Sequence, residues 1–201
     1  MLYLRNTNQL QSLSQQVNRG PAGTPPPAPT PVTSSYFDGL GRTQYQPAFG
    51  ASGAPGWTPA SFTGSQYQIG TAVLDSGSLQ PSFLTSGSVN TGSAQWLGYF
   101  LPSTTETYSF YLTSDDQSTL WLDAAATASL PLTSSALLNL NSGQTLTGSI
   151  ALTSGSYYAM RLQYTAQASY DFFTASFSSP TIIKTTDFTN YTFCNTASLG
   201  F

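Results

Sequence analysis

The sequence predicts an all-β fold, an antiparallel β-sandwich or jelly-roll-like barrel, preceded by a short helix and a proline-rich extended arm. Two observations carry the β assignment. From Ala94 onward, apolar and polar residues alternate in short runs, the period of a half-buried strand. Gly, Ser and Thr clusters separate those runs, and the region has no helical periodicity. Many short strands with such turns pack as two sheets or close on themselves.

The arm spans residues 1–34 and the β body residues 35–201. In the arm, Leu10, Leu13 and Val17 fall at i, i+3 and i+7, one face of a short helix. Asn8 is placed to cap its start, and Gly20 followed by Pro21 to stop it. A helix of about three turns is marginal alone and needs a surface to dock on. Prolines 21, 25, 26, 27, 29 and 31 then favour polyproline II, rising about 3.1 Å per residue. Fully extended, such a tether reaches on the order of 40 Å.

Residues 35–90 mix Gly, Pro and aromatics, as expected of short strands joined by long loops. Further on, Tyr108, Phe110 and Leu112 share one strand face, and Leu120 and Leu122 continue in a second strand. The stretch "LTGSIALTSGSYYAMRLQYTA" reads as a hairpin turning at "TSGS". Leu146, Ile150 and Leu152 would point inward on one arm, and Tyr158, Met160, Leu162 and Tyr164 on the other. Phe173, Ala175 and Phe177 give another alternating strand.

Composition narrows the function. Charged residues are 6% of the chain, against about 25% in an average soluble domain. A surface so poor in charge suits packing against other proteins, or a neutral ligand such as sugar. Arg5, Arg19, Arg42, Arg161 and Lys184 are scattered, so no cationic cluster for nucleic acid forms in the sequence. No apolar run approaches the roughly 20 residues needed to span a bilayer, so no membrane insertion is expected. The N-terminus lacks the pattern of a secretory signal, so export would need another carrier, for example a virus particle.

With no His and a lone Cys194, His-based nucleophilic machinery and an ordinary zinc site are excluded. Cys194 is expected as a buried reduced thiol. Trp96 and Trp121 read as core or sheet-face aromatics rather than sugar platforms, and Arg161 as solvated or at an interface. The triplet at Asn190 fits the N-glycosylation pattern, one that also arises by chance.

Asp115 and Asp116 stand out in "YSFYLTSDDQSTLWLD", because the chain has only 8 acidic residues. Three readings compete. One is a polar turn, since Asp accepts hydrogen bonds from nearby backbone N–H groups. Another is a calcium site, since Ca²⁺ takes oxygen ligands, carboxylates among them. The last is a glycosidase pair drawn from Glu106, Asp115, Asp116, Asp123 and Asp171. Nothing in the sequence marks one of those carboxyls as an acid, and no enzyme is expected.

The segment from Trp96 to Asp123 resembles the PA-fourteen domain, named after anthrax protective antigen, whose relatives include the GLEYA adhesin domains of fungal flocculins. The matching residues are Trp96, Gly98, Pro102, Tyr108, Phe110, Asp115, Asp116, Leu120 and Asp123. A later strand entry matches through Leu152, Gly155, Tyr157 and Tyr158. The similarity covers roughly Ala94 to Pro180, and residues 35–93 only loosely. The resemblance implies a β-sandwich that in lectin members holds calcium through the Asp pair, the ion ordering sugar hydroxyls. On that pattern Asp115 and Asp116 are ligands, and Asp171 is a candidate for the contribution of a later loop. Other family members are structural modules.

Two functions follow as expectations. The first is a non-enzymatic structural component of a large assembly, most specifically a virion minor capsid or surface protein, whose arm docks on neighbouring subunits. The alternative is a calcium-dependent adhesin or lectin module for cell-surface glycan.

Overall fold

The computed structural model describes residues 36–45, 48–50, 56–63, 68–75, 77–79, 92–129, 131–141, 143–167 and 172–195. The expected arm, residues 1–34, lies outside the described residues. In chain order the strands are β1 Tyr36–Asp38, β2 Leu40–Tyr45, β3 Gln68–Asp75, β4 Gly92–Phe100, β5 Glu106–Ser114 and β6 Ser118–Leu122. They continue with β7 Leu138–Leu140, β8 Gln144–Leu152, β9 Tyr158–Ala166, β10 Phe173–Ser178 and β11 Thr192–Asn195. One short helix, α1 (Ala124–Thr127), follows β6.

The strands form two antiparallel sheets, as expected of a sandwich. The larger runs β1-β11-β4-β9-β6-β7, with β2 also pairing β4 and β3 pairing β2. The smaller is β10-β5-β8. One edge of β4 pairs with β9 along its whole length. Its other edge is shared, Ser93–Leu97 with β2 and Tyr99 and Phe100 with β11. Gly98 sits where that edge changes partner. A Cβ there would lie 2.5 Å from the Phe193 carbonyl oxygen and 2.7 Å from Leu40 Cδ2, so only glycine fits without movement.

The faces expected from the alternation are the faces observed. Tyr108, Phe110, Leu112, Leu120, Leu122, Leu152, Met160, Leu162, Tyr164, Phe173, Ala175 and Phe177 are all buried in one core, with Leu146, Ile150 and Tyr158 packed against it. Trp96 stacks on Phe173 with ring centroids 5.4 Å apart, joining the two sheets. Phe100 meets the rings of Tyr108, Phe110 and Phe177 edge-on at 5.5, 5.1 and 5.3 Å. Such pairs add about 0.5–1.5 kcal/mol each beyond the area they bury.

The expected hairpin is not formed. β8 pairs with β5 in the smaller sheet, whereas β9 pairs with β4 and β6 in the larger. The "TSGS" turn, with Gly155 at φ +79°, therefore carries the chain across the sandwich. Alternation fixes which face of a strand is buried. It does not fix the partner, because strands of opposite sheets aim at the same core. The same holds for β5 and β6, which flank the aspartate pair and lie in different sheets.

Behind the larger sheet lies a second, partly polar layer. Tyr45, Phe49 and Phe62 form a ring cluster with centroids 4.9–5.4 Å apart, and Trp57 packs against it. Beneath it Ser93, Thr165, Gln95 and Gln163 are buried on the sheet's outer face. Ser93 Oγ accepts from the Phe49 N–H at 3.0 Å, and Thr165 Oγ1 donates to the Phe49 carbonyl at 3.0 Å. Gln163 Nε2 donates to Gln95 Oε1 at 2.7 Å. Buried polar groups persist where they find partners; the two bonds to Phe49 fasten the layer to the sheet, and the Gln163–Gln95 bond joins β9 to β4 beneath it.

Trp121 points out of the main core, buried, its Nε1–H donating to the Leu132 carbonyl at 2.9 Å. Trp96 and Trp121 are thus a core and a sheet-face aromatic, as expected. Arg161 is on the outer face but half-buried rather than solvated, and burial lowers its pKa. Cys194 is a buried thiol, outside any disulfide among the described residues, and burial raises its pKa.

Candidate functional site

Asp115 and Asp116 occupy the crossing between β5 and β6, at one end of the sandwich. Ser114, the last residue of β5, is buried and shapes that crossing. Its Oγ donates to the Asp116 carbonyl at 2.6 Å and shares a 2.9 Å hydrogen bond with Ser118 Oγ at the start of β6. From the approach to β8, the Gly143 N–H donates to the carbonyls of Ser114 and Asp115, at 2.9 and 3.2 Å.

Both carboxylates are half-buried and oriented by neighbours far away in sequence. Oδ1 of Asp115 accepts from the Tyr164 hydroxyl at 3.0 Å and from the Asp116 N–H at 2.9 Å. Oδ2 of Asp116 accepts from the Gln167 N–H at 2.6 Å. The Asp115 N–H donates to the Phe172 carbonyl at 3.2 Å. The pair therefore binds the end of β9 and the approach to β10, on either side of residues 168–171. Gln167 also ties the site to the outer layer, its Nε2 donating to the Phe49 carbonyl at 3.1 Å.

The remaining oxygens, Oδ2 of Asp115 and Oδ1 of Asp116, accept no hydrogen bond among the described residues. Two oriented carboxylates, each with an oxygen to spare, are hard donors of the kind Ca²⁺ prefers. They fit calcium in chemistry but do not complete its six to eight ligands. Among the described residues no group of three or more His, Cys, Asp or Glu gathers to hold a metal. Asp171, the expected further candidate, lies outside the described residues.

The other carboxylates stand apart from the pair. Glu106 begins β5, a strand of 9 residues whose far end is Ser114. At about 3.3 Å per residue that separation far exceeds the roughly 5–9.5 Å of glycosidase carboxyls. Glu106 accepts from Thr181 Oγ1 at 3.0 Å, and hydrogen bonds, foremost from Ser179, lower its pKa. Asp123 is exposed at the far end of β6, with φ +58° and no side-chain bond to the helix it precedes. Neither Glu106 nor Asp123 joins Asp115 and Asp116 in a site.

Sequence reading named the pair but missed what holds it. Tyr164 reads as one more inward aromatic of β9, and nothing local shows that its hydroxyl reaches the end of the sandwich. The Gln167 contribution is a backbone N–H, which no side-chain pattern reveals. Ser114 was legible in principle, as a small hydroxyl next to an Asp pair where a strand ends.

Comparison with known proteins bears on the fold. A family model of the GLEYA domain matches residues 93–179, a span that includes the Asp pair, Tyr164 and Gln167. No curated protein sequence matches the chain. Among solved structures, the Epithelial Adhesin 6 A domain from Candida glabrata, in complex with Galb1-3GlcNAc, superposes with a TM-score of 0.60 at 15% identity, over 82% of this chain and 90% of that one. The Epithelial Adhesin 9 A domain from the same organism, in complex with Galb1-4GlcNAc, gives 0.59 at 18% identity, over 83% and 93%. The PA14 domain of the antifreeze protein MpAFP gives 0.53 at 13% identity, over 81% and 96%. The chain thus has the β-sandwich fold of the PA14-type adhesin domains, with its paired aspartates inside the stretch that matches the GLEYA model.

Proposed function

We propose that this protein is a glycan-binding adhesin module in which Asp115 and Asp116 hold a calcium ion. The observation that carries the reading is the orientation of the pair. Each carboxylate is fixed through one oxygen and keeps the other for a ligand, at the end of the sandwich. The GLEYA match and the adhesin folds of the structural neighbours support the same reading. When bound, calcium would supply a Lewis-acidic centre for sugar hydroxyls. The chain's own part is to present two carboxylates, orient them through Tyr164 and Gln167, and hold Gln167 and Phe172 on either side of residues 168–171. No bond is made or broken, so the protein acts by binding alone, at an extracellular or cell-surface location.

The test is binding of the full-length chain to β-galactosyl disaccharides such as Galβ1-3GlcNAc and to a broader glycan array, with calcium and with chelator. Saturable binding that chelator abolishes is expected. Binding unaffected by chelator would remove the ion from the account, and no glycan binding at all would remove the adhesin reading.

The assembly reading, with a virion component as its most specific form, draws on the charged content of 6%. The expected arm, which also favoured it, falls outside the described residues. The similarity to adhesin domains favours glycan binding over it.

A further inference from the structure

Strand β8 is one edge of the smaller sheet, and among the described residues its outer backbone edge has no strand partner. On its inner side it pairs with β5 along all 9 residues, from Glu106↔Leu152 to Ser114↔Gln144. On its outer side no backbone hydrogen bond is made among the described residues. The opposite edge differs. There Thr185 folds back on β10, exchanging N–H···O bonds of 2.9 and 3.0 Å with Phe177.

Soluble proteins usually protect a long edge with a charge, a proline, a bulge or a covering segment. The sequence of β8, "QTLTGSIAL", has no charge and no proline, and its register with β5 is unbroken. Thr145, Thr147, Ser149 and Ala151 are exposed on its outer face, while Leu146 and Ile150 are only partly buried in the core.

The strand is also close to a mirror image of itself about Gly148. Leu146 mirrors Ile150, Thr147 mirrors Ser149, and Thr145 mirrors Ala151. An antiparallel pairing of β8 with another β8, centred on Gly148, therefore sets Leu146 opposite Ile150 and Thr147 opposite Ser149, side chains of like size and polarity, while Thr145 meets Ala151 and Gln144 meets Leu152. Because every mirrored pair is an even number of residues apart, the core-facing side chains of both copies stay on one face of the joined sheet. Branched aliphatic and hydroxyl pairs of this kind are favourable cross-strand neighbours. A strand that is self-complementary about a two-fold axis fits a second copy better than an unrelated peptide.

We propose that the free edge of β8 pairs with β8 of a second copy of this chain, antiparallel about a two-fold axis at Gly148, joining the two smaller sheets into one. Gln144 lies opposite Ser114, beside Asp115, and would face the second copy's Leu152. The two aspartate pairs then stand at opposite ends of the joined sheet. If the glycan reading also holds, the dimer is bivalent and can bridge two surfaces.

The experiment is sedimentation velocity of the full-length chain over a concentration series, beside Thr147→Lys/Ser149→Lys. Both residues are exposed, and in the dimer each new lysine faces a lysine of the other copy. The expected result is a concentration-dependent monomer–dimer equilibrium for the natural chain and monomer only for the lysine variant, with unchanged circular dichroism and a melting temperature lowered slightly by loss of the 2.9 Å bond between Ser149 Oγ and Ser109 Oγ. Mixing the lysine variant with Thr147→Glu/Ser149→Glu should restore a dimer of one copy of each. A natural chain that stays monomeric at every concentration overturns the proposal, as does a lysine variant that dimerises like the natural one. Calcium binding measured on the same variants should not change, so failure of the pairing is distinguishable from failure of the proposed binding site.

Discussion

The hydroxyl of Tyr164, on β9, donates to Oδ1 of Asp115 at 3.0 Å, joining the larger sheet to the crossing that leaves the smaller one. The ring of Tyr164 belongs to the core, 4.8 Å from Phe173, while its oxygen serves the candidate site. One side chain thus couples packing to carboxylate orientation.

Replacing Tyr164 by Phe keeps the ring contact and removes the hydrogen bond. A bond to a charged acceptor contributes about 1.5–3 kcal/mol, so urea unfolding should show a loss of about 1.5 kcal/mol with an unchanged m-value. The freed Asp115 carboxylate should also bind calcium several-fold more weakly. Unaltered stability would mean that the bond contributes nothing in solution.

Gly98→Ala tests the close approach where β4 changes partners. The added methyl would press on the Phe193 carbonyl and Leu40, and overpacking of this kind costs about 1–3 kcal/mol. Gly56→Ala is the control, because a Cβ there meets nothing within 4 Å. Equal melting temperatures for the two variants would contradict the packing described for β4.

Tyr45 gives a pH dependence. Burial pushes its hydroxyl up to about 12, opposed by the charge of Arg161 and a hydrogen bond from Thr43. The unfolded value is about 10. The folded pKa is therefore the higher one, and its stabilising contribution is full below pH 10. It is lost as the pH rises from 10 through 12, by about 2–3 kcal/mol in all. Tyr45→Phe also loses the bond to the Phe62 carbonyl, so it should be less stable at pH 9 but decline less steeply above pH 10. Parallel decline of the two proteins, followed by thermal melting, would contradict the burial of this hydroxyl.

Much of the fold was legible because alternation reports burial directly. Each face assigned to Tyr108–Leu112, Leu146–Leu152, Tyr158–Tyr164 and Phe173–Phe177 is the face that packs inward. Strand partners were not legible, since "TSGS" is good turn chemistry whether the chain returns beside itself or crosses to the other sheet. The outer layer was hidden for a related reason. Ser93, Gln95, Gln163 and Thr165 alternate with core residues and read as solvent-facing, yet a segment more than 40 residues away in sequence covers Ser93 and Thr165. At the site, two adjacent carboxylates announced themselves, while Tyr164 and Gln167, 49 and 51 residues from their partners, could be placed only by the topology.

The most direct test of the account is calorimetric titration of the full-length chain with calcium, beside Asp115→Asn/Asp116→Asn, with thermal melting of both. Saturable binding and a calcium-dependent rise in melting temperature are expected for the natural chain, both lost in the double variant. No heat, with melting unmoved by calcium, would contradict the account and leave the pair as the polar hinge that ties residues 167 and 172 together.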